Sequence, residues 1–259
     1  MSSLRSQLKN NFMGFKHAPY LLFAICYLLF ACSKDDPILP GDRVSIFGDS
    51  ALVNFAPPRE IPNMPDNAPE IILQECPFTV DSSNAIWDGS RKIFSGFPTT
   101  SYVKSDKKPV CDGDFVYAGL STGELVKVNA KTRNVVWVED IYRESNMLGG
   151  ATVLDVIAPV VVYNSDVYVG GLGDAFCKLN KSSGAKRWCV NIGVSQPFVI
   201  TDAAAFVVGT DNNVYAINTR DGSIYWRQSI KKQSAPLLRD GILFVGKEKF
   251  KAATGEVIK

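Results

Sequence analysis

From about residue 110 the hydrophobic and polar positions fall into short alternating segments, and the segments recur. The first copy is FVYAGLSTGELVKVNAKTRNVVW, from Phe115 to Trp137. VYVGGLGDAFCKLNKSSGAKRW closes at Trp188, FVVGTDNNVYAINTRDGSIYW closes at Trp226, and ILFVGKEKFKAATGEVIK runs to Lys259. β-Branched and aromatic residues in alternation, as in Val126-Lys127-Val128 and Val214-Tyr215-Ala216-Ile217, predict extended strands.

Counting back from each tryptophan gives the rule of the repeat. Asn129, Asn180 and Asn218 stand eight before their Trp, and Val128, Leu179 and Ile217 stand nine before. Leu125, Phe176 and Val214 stand twelve before. Gly184 and Gly222 stand four before, with Arg133 as the exception. Each copy therefore reads as strand, glycine turn, strand, asparagine-centred turn, strand. The Asn side chain can bond the turn backbone, and the glycine can take the positive φ that the reversal needs. Trp137, Trp188 and Trp226 at equivalent places read as wedges packed between neighbouring sheets, each worth about 3 kcal/mol of burial. An aromatic ligand cage is disfavoured, because equivalent positions in a radial array do not converge on one point.

The tryptophans are 51 and then 38 residues apart, the length of a four-stranded propeller blade. Pro159, Pro197 and Pro236 each precede an apolar strand, a polar turn and another strand, and Pro109 is expected to do the same upstream. Proline at the start of a strand costs no central ladder bond. SNAIWDGSRKIF reads as a weaker earlier blade with Trp87 closing one of its strands. The fold class expected is all-β, a partial β-propeller of four-stranded antiparallel blades, about four of them with the last incomplete. The expected organisation is an export signal over 1–31, a Pro-rich tether or latched strand over 32–80 with a short strand at 43–48, and propeller repeats over 81–259.

The amino-terminal region is of a different kind. Arg5, Lys9, Lys16 and His17 precede an uncharged run from Ala18 to Ala31, and no acid occurs before Asp35. That run is shorter than the roughly 20 residues a spanning helix needs, and it suits the apolar core of an export signal. Leu29-Phe30-Ala31-Cys32 has the spacing of a lipoprotein cleavage site, with Cys32 as the lipidated residue and Ser33 favouring the outer membrane. Two or more acyl chains would hold such a protein stably at a membrane surface. Loss of Arg5, Lys9 and Lys16 with the signal turns the formal net charge from +2 to −1. No electrostatic motive for nucleic-acid binding is left.

Six cysteines are present. With Cys26 and Cys32 assigned to the signal and the lipid, Cys76, Cys111, Cys177 and Cys189 remain. The hairpin turning at Asn180 to Gly184 sets Cys177 nearly opposite Cys189, either as a disulfide or, with the register off by one, as two buried thiols. Cys76 with Cys111 follows only by elimination. His17 is the only histidine, so a His-dependent triad or metal site has no donor after the signal. Asp166, Asp202, Asp211, Asp221 and Asp240 fall in expected turns, where bonding to backbone explains them. No catalytic, cofactor-binding or metal-ligating residue is assigned.

Val214-Tyr215-Ala216-Ile217-Asn218 through Gly222 and Trp226 resembles the quinoprotein-type propeller repeat nearly residue for residue. Leu125–Asn129 and Phe176–Asn180 resemble it more loosely. The order of lipobox, Leu39-Pro40-Gly41-Asp42-Arg43-Val44, Leu148-Gly149-Gly150 and closely spaced repeats is similar to that of the BamB family of outer-membrane assembly lipoproteins. The resemblance implies an eight-bladed periplasmic propeller, lipid-anchored at the outer membrane and free of cofactor. It also implies that loops on one face bind the barrel-forming subunit of the assembly machinery and assist nascent outer-membrane proteins. The chain would lack about half of such a ring, so a shortened gene product is expected ahead of a fragment or closure by another molecule. The rival within the repeat class, a quinone-dependent dehydrogenase, would need a complete propeller, a calcium site and commonly an adjacent cysteine pair. No two cysteines here are adjacent.

Overall fold

The computed structural model describes residues 57–70, 76–99, 108–142 and 153–259. Cys32, the expected signal over 1–31, the short strand at 43–48 and Leu148-Gly149-Gly150 lie outside the described residues. The chain divides into two compact units after Val53, and all described residues belong to the second.

Five antiparallel meander sheets follow one another along the chain. Blade 1 holds β1 (Phe78–Val80), β2 (Ala85–Asp88) and β3 (Arg91–Ser95). Blade 2 holds β4 (Val110–Asp112), β5 (Phe115–Gly119), β6 (Glu124–Asn129) and β7 (Val135–Asp140). Blade 3 holds β8 (Val161–Tyr163), β9 (Asp166–Gly171), β10 (Ala175–Asn180) and β11 (Lys186–Val190). Blade 4 holds β12 (Val199–Ile200), β13 (Ala204–Val208), β14 (Asn213–Asn218) and β15 (Ile224–Ser229). Blade 5 holds β16 (Pro236–Arg239), β17 (Ile242–Val245), β18 (Glu248–Lys251) and β19 (Val257–Ile258).

The architecture is the all-β partial propeller read from the sequence, with two differences of detail. There are five sheets, and the last has its four strands because Val257 and Ile258 still pair with Phe250 and Lys249. The short sheet is the first. Its strands correspond to the second, third and fourth of a full blade: the Asp81 N–H donates to Ala85 O as Leu120 does to Glu124 O and Gly209 to Asn213 O. Trp87 therefore lies on the third strand position and closes no blade. Phe94, opposite Ile86, stands where Trp137 stands opposite Lys127.

Successive side chains of a strand point to opposite faces, so each inner strand feeds two junctions. Val116 and Ala118 pack with Phe78 and Ile86 of blade 1, whereas Tyr117 packs with Val167 and Val169 of blade 3. Ala205 and Val207 face Tyr168, Phe176 and Trp188, while Phe206 and Val208 face Leu243 and Phe250. Both faces of β9 and β13 are covered, which is why their sequences read as continuous apolar runs.

Residues 57–70 lie against the last two blades. The Arg59 N–H donates to Tyr225 O and the Ile61 N–H to Ala253 O, each at 2.9 Å. Gly241 N–H donates to Asp66 O at 2.7 Å. Ile61 is buried in the cluster containing Tyr225 and Trp226, with Met64 and Ala68 packed against it. We call this segment the strap.

Candidate functional site

The repeat residues singled out in the sequence meet at the junctions between blades. Asn129 Oδ1 accepts from the N–H groups of Lys131 and Thr132, Asn180 Oδ1 from those of Ser182 and Ser183, and Asn218 Oδ1 from that of Arg220. Each bond fixes the turn between the third and fourth strands. The turn then closes by Gly184 N–H to Asn180 O and Gly222 N–H to Asn218 O, both 2.9 Å, with φ of +76° at both glycines.

Trp137, Trp188 and Trp226 each dock on the turn of the following blade. Trp137 Nε1 donates to Lys181 O at 3.3 Å, Trp188 Nε1 to Thr219 O at 3.1 Å and Trp226 Nε1 to Ala252 O at 3.0 Å. The glycine of that turn lies flat beneath the indole. A Cβ on Gly184 would stand 2.7 Å from Trp137, one on Gly222 3.0 Å from Trp188, and one on Gly255 2.6 Å from Trp226. The glycine is thus demanded by the preceding blade's tryptophan as well as by its own φ. Arg133 fits this account: blade 1 offers Phe94 in place of Trp, and the Arg133 guanidinium reaches Asp88 at 2.7 Å.

Two lysines reinforce the same joints. Lys127 Nζ donates to Lys181 O and Lys178 Nζ to Thr219 O, the carbonyls that the indoles also use. Burial first, then the neighbouring Lys181 charge, pushes the Lys127 ammonium below its ordinary pKa. Its charge is set 4.0 Å from the Phe115 ring centroid. Lys178 also pairs with Asp166 at 2.9 Å, and Asp166 in turn binds Arg187. These positions carry charge into a partly buried seam and satisfy it, which is a structural use.

Cys177 and Cys189 are directly opposed across β10 and β11 and form a disulfide with an S–S distance of 2.05 Å. Cys76, just before β1, is bonded to Cys111 on β4 and so ties blade 1 to blade 2. Sequence reasoning missed Asn84. It is fully buried, its Oδ1 accepts the Ser121 N–H at 2.8 Å, and its Nδ2 donates to Phe97 O at 2.8 Å. A lone Asn in a serine-rich turn carried no signal of this.

A cleft of about 560 Å³ opens between the strap and the upper turns of blade 4, lined by Arg59, Glu60, Asp202, Asn218, Arg220 and Tyr225. Asp202 is held by the Tyr163 hydroxyl, and Arg59 bonds Ser223 Oγ and lies over the Tyr225 ring. Burial, then the Asp211 hydrogen bond and charge, pushes the Tyr215 phenol up to about 12, far from general acid–base range. Among the described residues no group of three or more His, Cys, Asp or Glu is placed to hold a metal ion. The arrangement among the described residues presents turns and edges held in place by hydrogen bonds and ion pairs.

Comparison with known proteins agrees with this geometry. A family model described as "Outer membrane protein assembly factor BamB" matches residues 76–188 and 173–257. The protein of that name from Yersinia pestis is 26% identical over 152 residues, covering 55% of this chain and 38% of its own length. The one from Legionella pneumophila (strain Paris) is 21% identical over 147 residues, covering 56% and 38%. The chain thus spans less than two fifths of the length of these relatives. Among solved structures, BamB from Moraxella catarrhalis superposes with a TM-score of 0.50 at 16% identity, covering 70% of this chain and 62% of that one, a likeness of fold. With its blades matched over both stretches and its tryptophans, asparagines and glycines locking them in series, the chain belongs to the BamB family of outer-membrane protein assembly factors.

Proposed function

We propose that the chain is a non-catalytic scaffold of outer-membrane protein assembly, anchored at the periplasmic face of the outer membrane through Cys32. In this role it binds the barrel-forming subunit of the assembly machinery and assists nascent outer-membrane proteins. The observation that carries the reading is the family match across all five blades. The structure supports it physically. Interlocked sheets hold their turns, and the chemistry gathered at the joints is hydrogen bonding and ion pairing. Such a body suits orienting a partner better than transforming a substrate.

The test is capture from detergent-solubilised envelopes with the full chain as bait. Recovery of the barrel-forming subunit is expected, and its loss when the bait is unfolded serves as control; clean failure with folded bait would overturn the assignment. Metabolic labelling with a radioactive fatty acid tests the anchor separately. Label should enter the wild type, and Cys32→Ser should carry none and leave the membrane fraction.

A further inference from the structure

The strap shows how a peptide seats on this repeat. In blades 2, 3 and 4 the fourth strand carries a bulge one residue before the tryptophan: Val136 in β7, Arg187 in β11 and Tyr225 in β15. At blade 4 the carbonyl of this bulge residue accepts the Arg59 N–H. Two residues along the strap, the Ile61 N–H bonds the carbonyl of Ala253, in the turn of the next blade. The Ile61 side chain is buried between them, 2% exposed, against Tyr225 and Trp226.

Counting along the repeat locates the same seat at the other junctions. Between blades 2 and 3 the corresponding acceptors are the carbonyls of Val136 and Ser182, and the corresponding tryptophan, Trp137, is only partly buried. The edge there is apolar and open: Val135, Val136 and Val138 are 42%, 43% and 43% exposed. The strapped edge, by contrast, has Tyr225 at 8% and Trp226 at 1%. Between blades 3 and 4 the edge carries Lys186 and Arg187, with Arg187 already bound to Asp166, so that seat is polar. An outer strand whose edge pairs with no other strand among the described residues, and which carries exposed valines, is a template for another extended chain.

We propose that the outer edge of β7, beside the junction of blades 2 and 3, binds an extended peptide strand carrying an aliphatic side chain, in the manner of the chain's own Arg59–Ile61 at blades 4 and 5. The bound strand donates two alternate N–H groups to Val136 O and Ser182 O, and its aliphatic side chain covers the exposed edge of Trp137. Specificity comes from that one side chain, and the backbone bonds accept many sequences.

The probe is a synthetic peptide of residues 57–68, PPREIPNMPDNA, with a fluorescent label at one end. Anisotropy with the full chain in detergent should show saturable binding. A version with benzoylphenylalanine replacing Ile61 should cross-link to residues 135–138. Val136→Asp combined with Val138→Asp should weaken binding at least tenfold while leaving the urea midpoint unchanged, because both side chains are exposed. A peptide with Ile61→Asp should not bind. The proposal is overturned by absence of saturable binding up to about 1 mM, by cross-links confined to Tyr225 and Ala253, or by undiminished affinity of the double variant. Should the double variant misfold, the cross-link map of the wild type decides alone. The measurement involves no assembly partner, so its failure and that of the scaffold reading are separable.

Discussion

The junctions between blades 2 and 3 and between blades 4 and 5 are built on one plan and finished differently. In both, an indole of one blade lies on a glycine of the next and donates to a turn carbonyl. At blades 4 and 5 the strap covers the joint and Trp226 is sealed; at blades 2 and 3 no described residue takes that place, Trp137 stays partly exposed and three valines face solvent. The difference teaches that the tryptophan lock suffices to align two sheets, whereas full exclusion of water from the lock needs a second layer.

The largest effect expected is on the sealed lock. Trp226→Ala should cost about 4 kcal/mol and Trp137→Ala about 2 kcal/mol, because a fully buried indole loses both its transfer energy and its packing, and a partly exposed one less of each. Urea unfolding of both variants measures the gap. Equal losses would break the comparison, since the strap would then contribute nothing to the burial of Trp226.

Much of this plan is legible in the sequence, because each joint depends on local residues at fixed spacing. Asn180, Gly184 and Trp188 announce the turn and the wedge of one unit, and the alternation around Val214–Ile217 announces the strands. What the spacing hides is which unit each glycine serves. Gly184 reads as the partner of Trp188 four residues on, yet it lies beneath Trp137 of the preceding blade. The two irregular copies carry the clue: the fourth has Gly255 with no tryptophan four residues on, and the first has Arg133, where the preceding blade places Phe94 and not a tryptophan. The strap is legible as part of a proline-rich tether or latched strand, but not where it seats. Ile61 gives no sign of burial, because its partners stand more than 160 residues away. The first blade is obscure for a related reason, since its tryptophan, Trp87, lies on the third strand position while Phe94 holds the place of Trp137.

The next effect concerns covalent support at the bare junction, where Cys177 belongs to the core with Tyr117 and Trp137. Replacing both Cys177 and Cys189 by Ala should cost about 3 kcal/mol in the chain-entropy model for a span of 12 residues. Thermal unfolding against the wild type checks it, and an unchanged midpoint would show that the bare junction needs no staple. Smaller again is Ile61→Ala, at about 2 kcal/mol for a buried aliphatic. Its loss should release the strap locally. Limited trypsin digestion should then cut after Arg59 faster than in wild type, and an unaltered cleavage rate would mean that the backbone bonds to Tyr225 and Ala253 hold the strap unaided.

The smallest effect separates the first blade from all the others. Trp137, Trp188 and Trp226 donate to backbone carbonyls, which do not titrate, but Trp87 Nε1 donates to Asp81 Oδ2 at 2.7 Å. Burial by itself would raise the Asp81 carboxyl; the hydrogen bonds from Ser83, Ala85 and Trp87 outweigh it and hold the pKa below its ordinary 3.8. A carboxylate depressed in the folded state contributes stability that is present above the unfolded value and is lost as pH falls through the folded one. On acidification below about pH 4, the indole N–H resonance of Trp87 should therefore shift first in a ¹⁵N spectrum, with the other three following only on unfolding. In Asp81→Asn the early shift should vanish. Simultaneous movement of all four indoles would show that the acid response belongs to the whole stack of blades and not to the one tryptophan anchored by a carboxylate.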